Sequence, residues 1–527
     1  MKVREIIKIT GGKLLSGDLE REVELSKIST DSRSIHKGDF FIALGGANFN
    51  GNCFVDEVLE KGAIGALSCT PRVIPAKAGI YARGNPRFRG DQRASIQALD
   101  SRLRGNDNEE KILIQVSDTT KALQDIAAYH RKKFRIPVIG VTGSNGKTTV
   151  KDMIAGILSQ KYNVLKNEGT KNNHIGVPLT LLKLNDSHDM CVVEMGANHR
   201  GEIRSLADIA RPTVAVITNI GPSHLKFLRD LKGVFAAKRE ILGILNRDSL
   251  AVINGDDEYL SAIKSKVFRI MRFGFNVTND FHASRVSAER PGMKFTLNDR
   301  APFTLNLIGA HNVSNALAAI AVAYNFDISY TDTKKALSEY SPAGMRLNVR
   351  QAGDVTVIDD AYNSNPLSMG SAIEALAGYP AKGRWIVSAD MLELGQREEE
   401  FHKMIGEAIA RSGFSGLITF GRLSRHTSSR ALECGMDKNR VWHCSDRAKI
   451  ADILKDSMDS GDAVLVKGSR AMKMEEVIEE IALALSLDCA RDGSSLDRLG
   501  TNGEHCRIHS RDGERSRTTG LAMTKGR

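Results

Sequence analysis

Residues 138–150 have the sequence Val138-Ile-Gly-Val-Thr-Gly-Ser-Asn-Gly-Lys-Thr-Thr-Val150, and this stretch decides the fold around it. The apolar run before Gly143 is typical of a buried parallel strand. The apolar positions that follow Lys147, at 150, 154, 157 and 158, share one face of a helix. Gly143 and Gly146 let the backbone curl so that several N–H groups point to one place. A strand, a glycine-rich turn and a helix N-terminus in this order predict a phosphate-binding loop.

The side chains of this predicted loop fit a nucleoside triphosphate and its metal ion. Lys147 can reach the terminal phosphates, and the hydroxyl of Thr148 can hold Mg²⁺. The first glycine of the usual P-loop pattern would stand at position 141, whereas this sequence has it at Gly140. The strand, the lysine and the paired threonines together favour a phosphate loop over a chance glycine-rich turn. The predicted ATP contacts here are Gly143, Ser144, Asn145, Gly146, Lys147, Thr148 and Thr149.

Length and composition predict a soluble protein of several domains. The 527 residues leave room for three domains of ordinary size, and 41% hydrophobic with 26% charged residues is typical of globular proteins. No apolar stretch approaches the roughly 20 residues that span a bilayer. The first eight residues lack the apolar core of a signal peptide, so we expect a cytoplasmic protein. Seven cysteines without a Cys-x-x-Cys pair indicate a reducing compartment and argue against a zinc site.

The net charge of +11 raises the question of a nucleic-acid partner. Outside residues 71–110 and 488–527, the excess positive charge is spread along the chain without a basic run. This pattern favours a solvated surface with sites for anionic substrates, and we expect no nucleic-acid binding.

Residues 1–133 predict a small α/β domain that is interrupted by a foreign segment. Residues 71–110 lack apolar periodicity, repeat Arg-Gly-Asn and Arg-Gly-Asp, and resemble translated palindromic DNA repeats. We interpret 71–110 as an insert whose flanks a short turn could join; the alternative is a functional lid, because long loops in compact domains are often functional. Residues 488–527 have a similar texture and predict a disordered tail.

Two larger α/β domains are predicted to follow. Within residues 134–343, strands alternate with helices, which indicates a doubly wound parallel sheet around the phosphate loop. Residues 344–487 show a second such series without a phosphate loop. One phosphate loop and two α/β domains suggest a nucleotide clamped between them.

Two polar residues follow predicted strands of the central domain. Glu194 ends the strand at 191–194, and His224 follows the strand at 213–220. Ligands of doubly wound sheets lie beyond the carboxyl ends of the strands, so both residues are candidate metal ligands beside the phosphates. A helix cap or a surface position for Glu194 and a structural role for His224 are the alternatives. Lys238 alone is typical of a solvated helix lysine.

Ten segments along the chain form a recognisable set of motifs. They are Ser29-Thr-Asp-Ser-Arg33, Gly38-Asp-Phe-Phe-Ile-Ala-Leu44, Gly143-Ser-Asn-Gly-Lys-Thr-Thr149, Lys171-Asn-Asn-His-Ile-Gly-Val-Pro178, Glu194-Met-Gly-Ala-Asn-His199, Gly309-Ala-His-Asn-Val-Ser-Asn-Ala316, Gly344-Met-Arg346, Asp359-Asp-Ala-Tyr-Asn-Ser-Asn-Pro366, Ala389-Asp-Met-Leu-Glu-Leu-Gly395 and Lys467-Gly-Ser-Arg470. Together these motifs resemble the Mur ligase family, from about residue 1 to 487 apart from the insert. The Asp-Ala-Tyr-Asn-x-Asn-Pro and Asp-Met-x-Glu-Leu-Gly motifs favour the branch that adds D-alanyl-D-alanine. Thr170, Asn50-Gly-Asn52 and Lys226 depart from the family's usual residues.

The resemblance implies an α/β, three-domain Mur ligase architecture. Residues 1–133 would bind the UDP-substrate, 134–343 would bind ATP, and 344–487 would form the C-terminal ligase domain. The implied reaction joins D-alanyl-D-alanine to UDP-N-acetylmuramoyl-tripeptide through an acyl phosphate, in cytoplasmic peptidoglycan precursor synthesis. A monomer without a transmembrane segment is implied.

The resemblance also implies roles for single residues. Lys147, Glu194, His224 and Lys238 would be catalytic, with Lys238 carbamylated by CO₂. Two Mg²⁺ sites are implied, one at Thr148 and Glu194 and one at His224 and carbamylated Lys238. Further ATP contacts would be His311, Asn312, Asn315, Arg346 and Asp360. Substrate contacts would be Ser32, Arg33, Asn172, Asn173, Asn363, Asn365, Asp390, Lys467, Ser469 and Arg470.

Three other interpretations stay open at this point. A sibling amide ligase, either another Mur ligase or a folylpolyglutamate synthetase, would share most of these motifs. A P-loop switch or kinase without ligase activity would leave His224, Lys238 and the 344–470 motifs unexplained. A decayed gene is suggested by the insert and tail, but the metal and phosphate positions are all present.

Overall fold

The computed structural model describes residues 1–46, 49–69, 110–289, 292–342 and 344–491. The described residues form three large β-sheets, which are surrounded by helices and follow one another along the chain. A separate two-stranded sheet pairs Gly45–Gly46 with Phe49–Asn50. The predicted insert, except Glu110, lies outside the described residues, as does the predicted tail beyond residue 491. No described helix combines the length and the apolar character needed to cross a membrane.

The N-terminal sheet has five strands, all parallel to their neighbours except the first, which runs antiparallel. Its last helix begins where Asp118 Oδ1 accepts hydrogen bonds from two backbone N–H groups, an N-cap arrangement. In spatial order the strands are Lys13–Ser16, Ile112–Gln115, Gly65–Ser68, Phe40–Ile42 and Ile28–Ser29. The described helices of this domain are Val3–Thr10, Val55–Glu60 and Thr119–Arg131, with 3₁₀ turns at Leu25–Lys27, Ser32–Ser34 and Gly51–Phe54.

The strands on either side of the insert correct one expectation. Gly65–Ser68 and Ile112–Gln115 are parallel neighbours, with Gly65 opposite Ile112 and Ser68 opposite Gln115. Because both strands point the same way, any link between them has to run from the end of the first strand, at Ser68, back to the opposite end of the pair, where Ile112 begins the second strand. Parallel neighbours need a crossover of about a dozen residues, so the expectation that a short turn could join these flanks was wrong.

We therefore predict that residues 72–108 can be replaced by a spacer of about six glycines and serines, which restores a crossover of about twelve residues. Loop-closure entropy changes slowly with length, so the melting temperature and the ligation rate should stay close to those of the full chain. Thermal melts and activity assays measure both quantities. The same deletion without the spacer should be less stable. Loss of UDP-substrate binding in the spacer variant would show that the segment is a working part of the N-terminal domain.

The central sheet has nine strands, and its parallel part confirms the predicted doubly wound fold. Two antiparallel pairings extend it at one edge, which the sequence analysis did not predict. In spatial order the strands are Ala301–Leu305, Gly292–Leu297, Phe281–Glu289, Arg269–Gly274, Leu250–Asn254, Val214–Ile217, Val138–Thr142, Met190–Glu194 and Val164–Lys166. The helices are Lys147–Leu158, Gly176–Leu181, Glu202–Ala210, Leu225–Leu228, Leu231–Lys238, Glu258–Ser261, Ala310–Asn325 and Tyr330–Ser338, with a 3₁₀ turn at Arg239–Ile244.

The C-terminal sheet has six strands, and only the pairing of its first two strands is antiparallel. Its last helix includes residues 488–491, so the predicted start of the tail at residue 488 was wrong. The run up to Arg491 contains no glycine or proline that would end the helix. In spatial order the strands are Asn348–Ala352, Val355–Asp360, Ala463–Lys467, Arg384–Ala389, Gly416–Phe420 and Val441–Cys444. The helices are Pro366–Ala377, Glu398–Arg411, Arg425–Glu433, Ala448–Ser457 and Met474–Arg491, with 3₁₀ turns at Gly395–Arg397, Lys438–Arg440 and Arg470–Met472.

The register of the central sheet brings the predicted site residues to one edge. The strand Val138–Thr142 lies between Met190–Glu194 and Val214–Ile217 and is parallel to both. Glu194 pairs with Val141, and Ile217 pairs with Thr142, so the three strands end side by side. The phosphate loop and the segments after the other two strands therefore share one edge, as the sequence analysis predicted.

Candidate active site at the phosphate loop

The two glycines of the phosphate loop are required by its backbone and its neighbours. Gly143 has a φ of 141° and Gly146 a φ of 78°, values that favour glycine. A Cβ on Gly143 would lie 2.0 Å from Thr218 Oγ1, and one on Gly146 would lie 2.4 Å from Asn315 Oδ1. The loop therefore packs closely against its surroundings on two sides.

Hydrogen bonds from the segment after Ile217 fix the loop. The Ser144 N–H donates to Asn219 O at 2.9 Å, and Ser144 Oγ donates to Gly221 O at 3.0 Å. The Asn145 N–H donates to Asn219 Oδ1 at 2.9 Å. The loop is thus held in shape by the protein itself, which is the preorganisation that phosphate binding requires.

Lys147 folds back over the loop. Its Nζ donates to Gly143 O and Ser144 O, both at 2.9 Å. Burial lowers the pKa of Lys147, and Arg346 lowers it further, while Glu194 opposes the shift. The ammonium group therefore lies at the loop and close to the carboxylate of Glu194, where phosphate oxygens could replace the backbone carbonyls as its acceptors.

Glu194 is a buried carboxylate with neutral hydrogen-bond donors. Its side chain is 1% exposed, Oε2 accepts from Thr148 Oγ1 at 2.7 Å, and Oε1 accepts from Asn172 Nδ2 at 2.6 Å. The Glu194 N–H donates to Asn167 Oδ1 at 2.9 Å. This contact network excludes the helix-cap alternative for Glu194. A hydroxyl and a carboxylate oxygen side by side fit Mg²⁺, which prefers oxygen ligands.

A residue that the sequence analysis missed supports this arrangement. Lys151 is buried, and its Nζ donates to Asn167 O at 3.0 Å and to Gly169 O at 2.9 Å. It thereby holds the segment whose Asn167 and Asn172 contact Glu194. The available signal was a lysine that shares a helix face with Ile154 and Leu158, both apolar.

Lys238 is buried, so the interpretation of its local sequence alone, as a solvated helix lysine, was wrong. The side chain is 1% exposed because it ends the helix Leu231–Lys238 on the same buried face as Val234. Its Nζ donates to Ala197 O at 3.3 Å, and no described carboxylate lies within salt-bridge distance. Burial lowers the pKa of Lys238 to about 7, and the charge of Lys147 adds to this shift.

His224 lies at the start of the short helix Leu225–Leu228 with a φ of 52°. Its Nδ1 is 2.7 Å from Glu393 Oε2, a residue of the C-terminal domain. Burial lowers the pKa of His224; Glu393 opposes this shift, while Lys238 and Lys147 strengthen it. The three predicted residues His224, Lys238 and Lys147 are thus close enough to influence one another.

Unmodified side chains alone do not form a carboxylate-rich metal cluster. Within the described ranges, no group of three or more His, Cys, Asp or Glu residues is arranged to hold a metal ion. Thr148 and Glu194 fit Mg²⁺ as they stand. His224 and an unmodified Lys238 do not, because an ammonium group would repel a cation.

The C-terminal domain reaches the phosphate loop through an amide pair. Asn365 Nδ2 donates to Asn145 Oδ1 at 2.8 Å, and Asn145 Nδ2 donates to Asn365 Oδ1 at 3.2 Å. Asn365 Oδ1 also accepts from the Ser368 N–H at 2.9 Å and so caps the helix Pro366–Ala377. A predicted substrate residue thus contacts the loop itself.

The predicted adenine-side residues lie at the start of the helix Ala310–Asn325. Asn312 Nδ2 donates to Ile308 O at 2.8 Å, and Asn315 Nδ2 donates to Asn312 Oδ1 at 3.0 Å. Burial lowers the pKa of His311 to about 4, against a smaller opposing effect of Asp360. His311 is therefore a neutral ring at pH 7.

Arg346, Asp360 and Lys467 lie together in the C-terminal domain. The guanidinium carbon of Arg346 is 4.0 Å from the ring centre of Tyr362. Lys467 is buried and donates from Nζ to Asp360 Oδ2 at 2.6 Å, and the Leu347 N–H donates to Asp360 Oδ1 at 3.2 Å. Asp360, a predicted ATP contact, and Lys467, a predicted substrate contact, therefore form a salt bridge with each other.

Four more predicted substrate residues bond to backbone groups of their own domain. Asp390 Oδ1 accepts from the backbone of residues 423 and 424, Asn363 Oδ1 accepts from residues 364 and 470, and Ser469 Oγ accepts from residue 392. Asn173 Oδ1 accepts from the N–H groups of residues 175 and 176. These contacts give each side chain a structural task in addition to any substrate contact.

Three predicted residues have charged or surface surroundings. Arg470 Nη1 lies 2.7 Å from Glu475 Oε1. Arg33 is 88% exposed and pairs with Asp31, and Ser32 O accepts from Lys61 Nζ at 3.0 Å. The described contacts of Ser32 and Arg33 stay within the N-terminal domain and do not bring them to the phosphate loop.

The sequence is similar to known proteins over most of its length. Residues 141–323 match the Mur ligase middle domain, and residues 345–470 match the Mur ligase, glutamate ligase domain. A Bacillus subtilis (strain 168) relative named UDP-N-acetylmuramoyl-tripeptide–D-alanyl-D-alanine ligase is 35% identical over 91% of this chain and 98% of its own length. An Escherichia coli (strain K12) relative of the same name is 34% identical over 89% and 96%.

Solved structures give the same result. MurF from Acinetobacter baumannii matches with a TM-score of 0.77 and 29% identity, over 92% of this chain and 98% of that one. MurF from Thermotoga maritima in complex with ADP matches with a TM-score of 0.73 and 26% identity, over 89% and 100%. A Mycobacterium tuberculosis folylpolyglutamate synthase, at 18% identity and a TM-score of 0.53, shares the fold. The chain belongs to the Mur ligase family, within its MurF branch.

Proposed function

We propose that this protein is an ATP-dependent amide ligase that joins D-alanyl-D-alanine to UDP-N-acetylmuramoyl-tripeptide. The Bacillus subtilis and Escherichia coli relatives are named for these two substrates, which supports the same substrates for this protein. One structural observation carries the proposal: the C-terminal domain contacts the phosphate loop itself, through Asn365 and Asn145. ATP bound at the loop would therefore lie between two domains, as a reaction between nucleotide and peptide requires.

The first step would join two anions. The terminal carboxylate of the peptide attacks the γ-phosphorus, the bond to the β-phosphate oxygen breaks, and an acyl phosphate and ADP result. Catalysis of such a step is mainly alignment and neutralisation of charge. Lys147 supplies a positive charge at the loop, close to Glu194. The N-terminus of the helix that begins at Lys147 would align the phosphates.

Thr148 and Glu194 are the proposed ligands of one Mg²⁺, and His224 with carbamylated Lys238 those of a second. Bound Mg²⁺ would neutralise the phosphate oxygens and the attacking carboxylate. The hydroxyl and carboxylate of the first pair already lie 2.7 Å apart.

Carbamylation of Lys238 has physical support in the burial of its side chain. Only an uncharged amine can attack CO₂; the new N–C bond forms as a proton leaves the nitrogen, and the product carries a carboxylate-like charge. Burial and Lys147 lower the pKa of Lys238 to about 7, so much of the amine is uncharged near neutral pH. The modification would also replace the repulsion between the ammonium groups of Lys147 and Lys238 by an attraction between Lys147 and the carbamate.

The second step would form the amide. The amine of D-alanyl-D-alanine attacks the acyl carbonyl, and phosphate leaves from the tetrahedral intermediate. Water must be excluded because it would hydrolyse the acyl phosphate. Asn312, Asn315, Arg346 and Asp360 are the proposed residues that close over the nucleotide.

Phosphate release from ATP and Mg²⁺, measured with UDP-N-acetylmuramoyl-tripeptide, tests the proposal. We expect release that depends on D-alanyl-D-alanine and is not triggered by glutamate, lysine or diaminopimelate alone. Release with one of these amino acids instead would indicate a sibling amide ligase. ATP hydrolysis indifferent to every acceptor would support a nucleotide switch. A cytoplasmic monomer remains part of the proposal, and gel filtration tests the oligomeric state.

A further inference from the structure

His224 and Glu393 meet across the boundary between the central and C-terminal domains. His224 Nδ1 lies 2.7 Å from Glu393 Oε2. Both residues have left-handed backbones, with φ of 52° at His224 and 64° at Glu393. Non-glycine residues adopt this conformation at an energetic cost and tend to do so at functional sites. Two such residues bonded to each other indicate a contact that the surrounding structure enforces.

The segment that carries Glu393 is fixed on both sides. The Met391 N–H donates to His402 Nε2 at 3.0 Å, and the Leu392 N–H donates to Ser469 Oγ at 2.8 Å. On the central domain, the Lys226 N–H donates to Glu393 O at 3.2 Å. The backbone of Glu393 is therefore held beside His224 while the two domains are in contact.

The contact decides which ring nitrogen carries the proton. A neutral imidazole has one N–H and one lone pair, and a carboxylate at Nδ1 favours the proton at Nδ1. Nε2 then presents its lone pair. Histidines that bind metals commonly donate their other N–H to a carboxylate in this way.

We propose that Glu393 is a positioning residue that fixes the tautomer of His224 and so makes the metal-binding form of His224 depend on contact between the domains. This inference rests on the proposed role of His224 as a metal ligand. Glu393 belongs to the Asp390-Met-Leu-Glu-Leu-Gly395 motif, for which Asp390 has a local structural contact. Glu393 of the same motif instead contacts His224 of the central domain.

An ordinary surface contact is the competing explanation. Glu393 is 50% exposed, and exposed ion pairs contribute little to stability. If the exposed carboxylate only visits His224 from solvent, its removal changes neither the tautomer of the ring nor the demand for Mg²⁺. These two quantities therefore separate the explanations.

The test compares Glu393→Ala and Glu393→Gln with the wild type and with Glu400→Gln. Glu400 is an exposed glutamate of the same domain that pairs with Arg397, which makes it a matched control. Nitrogen-15 NMR of the full chain, labelled at histidine and free of metal and nucleotide, reports the tautomer of His224. Assignment uses a His224→Gln variant. The Mg²⁺ concentration for half-maximal ligation is the second measurement.

We expect Glu393→Ala to lose the Nδ1–H tautomer and to need about 10- to 100-fold more Mg²⁺. Glu393→Gln, whose amide oxygen still accepts a hydrogen bond, should retain most of both properties, and Glu400→Gln should match the wild type. An unchanged tautomer or an unchanged Mg²⁺ requirement in Glu393→Ala overturns the inference. Because the NMR measurement needs no turnover, a wild-type protein that fails to ligate would refute the proposed function and leave the tautomer result independent.

Discussion

Replacing Lys147 with alanine is expected to lower the rate of ATP-dependent ligation by at least about a hundredfold, the scale of losing one preorganised charge contact. Lys147 is the one cation in the sequence of the loop, residues 143–149, and its Nζ contacts the loop carbonyls Gly143 O and Ser144 O. Without it, the loop would lose its one full positive charge, which offsets the repulsion between the γ-phosphate and the attacking carboxylate. Steady-state phosphate release at saturating ATP measures the effect.

Lys161→Ala is the matched control, because Lys161 is an exposed lysine just beyond the same helix. This variant should ligate at the wild-type rate. A thermal melt shows whether Lys147→Ala is folded. Near-normal turnover of a folded Lys147→Ala protein would mean that this loop is not the ATP site.

Lys238→Ala is expected to be nearly inactive, with partial rescue by short-chain carboxylic acids. The substitution removes the buried amine that we propose to be carbamylated, and with it an anionic metal ligand. A small carboxylate could occupy the vacated space and supply oxygen ligands in its place. Ligation rates with and without added acetate or formate measure both effects.

Lys232→Ala, an exposed lysine of the same helix, serves as the control and should need no rescue. Carbon-13 NMR of wild-type protein in labelled bicarbonate should show a carbamate signal that Lys238→Ala lacks. A fully active Lys238→Ala protein would refute the modification as a requirement for catalysis.

Local sequence was sufficient for the features that depend on local geometry. The phosphate loop follows from the strand, the two glycines and Lys147, and Glu194 follows from the rule for strand ends in parallel sheets. The neighbouring strand ends in the central sheet confirm that placement.

Features that depend on distant partners could not be predicted in this way. Lys238 has ordinary neighbours in sequence, and its burial results from packing against other segments of the central domain. The pairing of His224 with Glu393 spans 169 residues and a domain boundary. The parallel arrangement of the strands beside the insert depends on strand order, which apolar periodicity does not encode.

The amide pair between Asn145 and Asn365 sets a scale for how the enzyme could cycle between states. Each of its two hydrogen bonds is worth about 1 kcal/mol against water, so together they bias the equilibrium between separated and joined domains roughly thirtyfold. Neither group is charged, so parting leaves no buried ion behind. This contribution adds to that of the contact between His224 and Glu393 across the same boundary. A nucleotide whose affinity for the joined and the separated domains differs by more than this factor would therefore control the populations in every turnover.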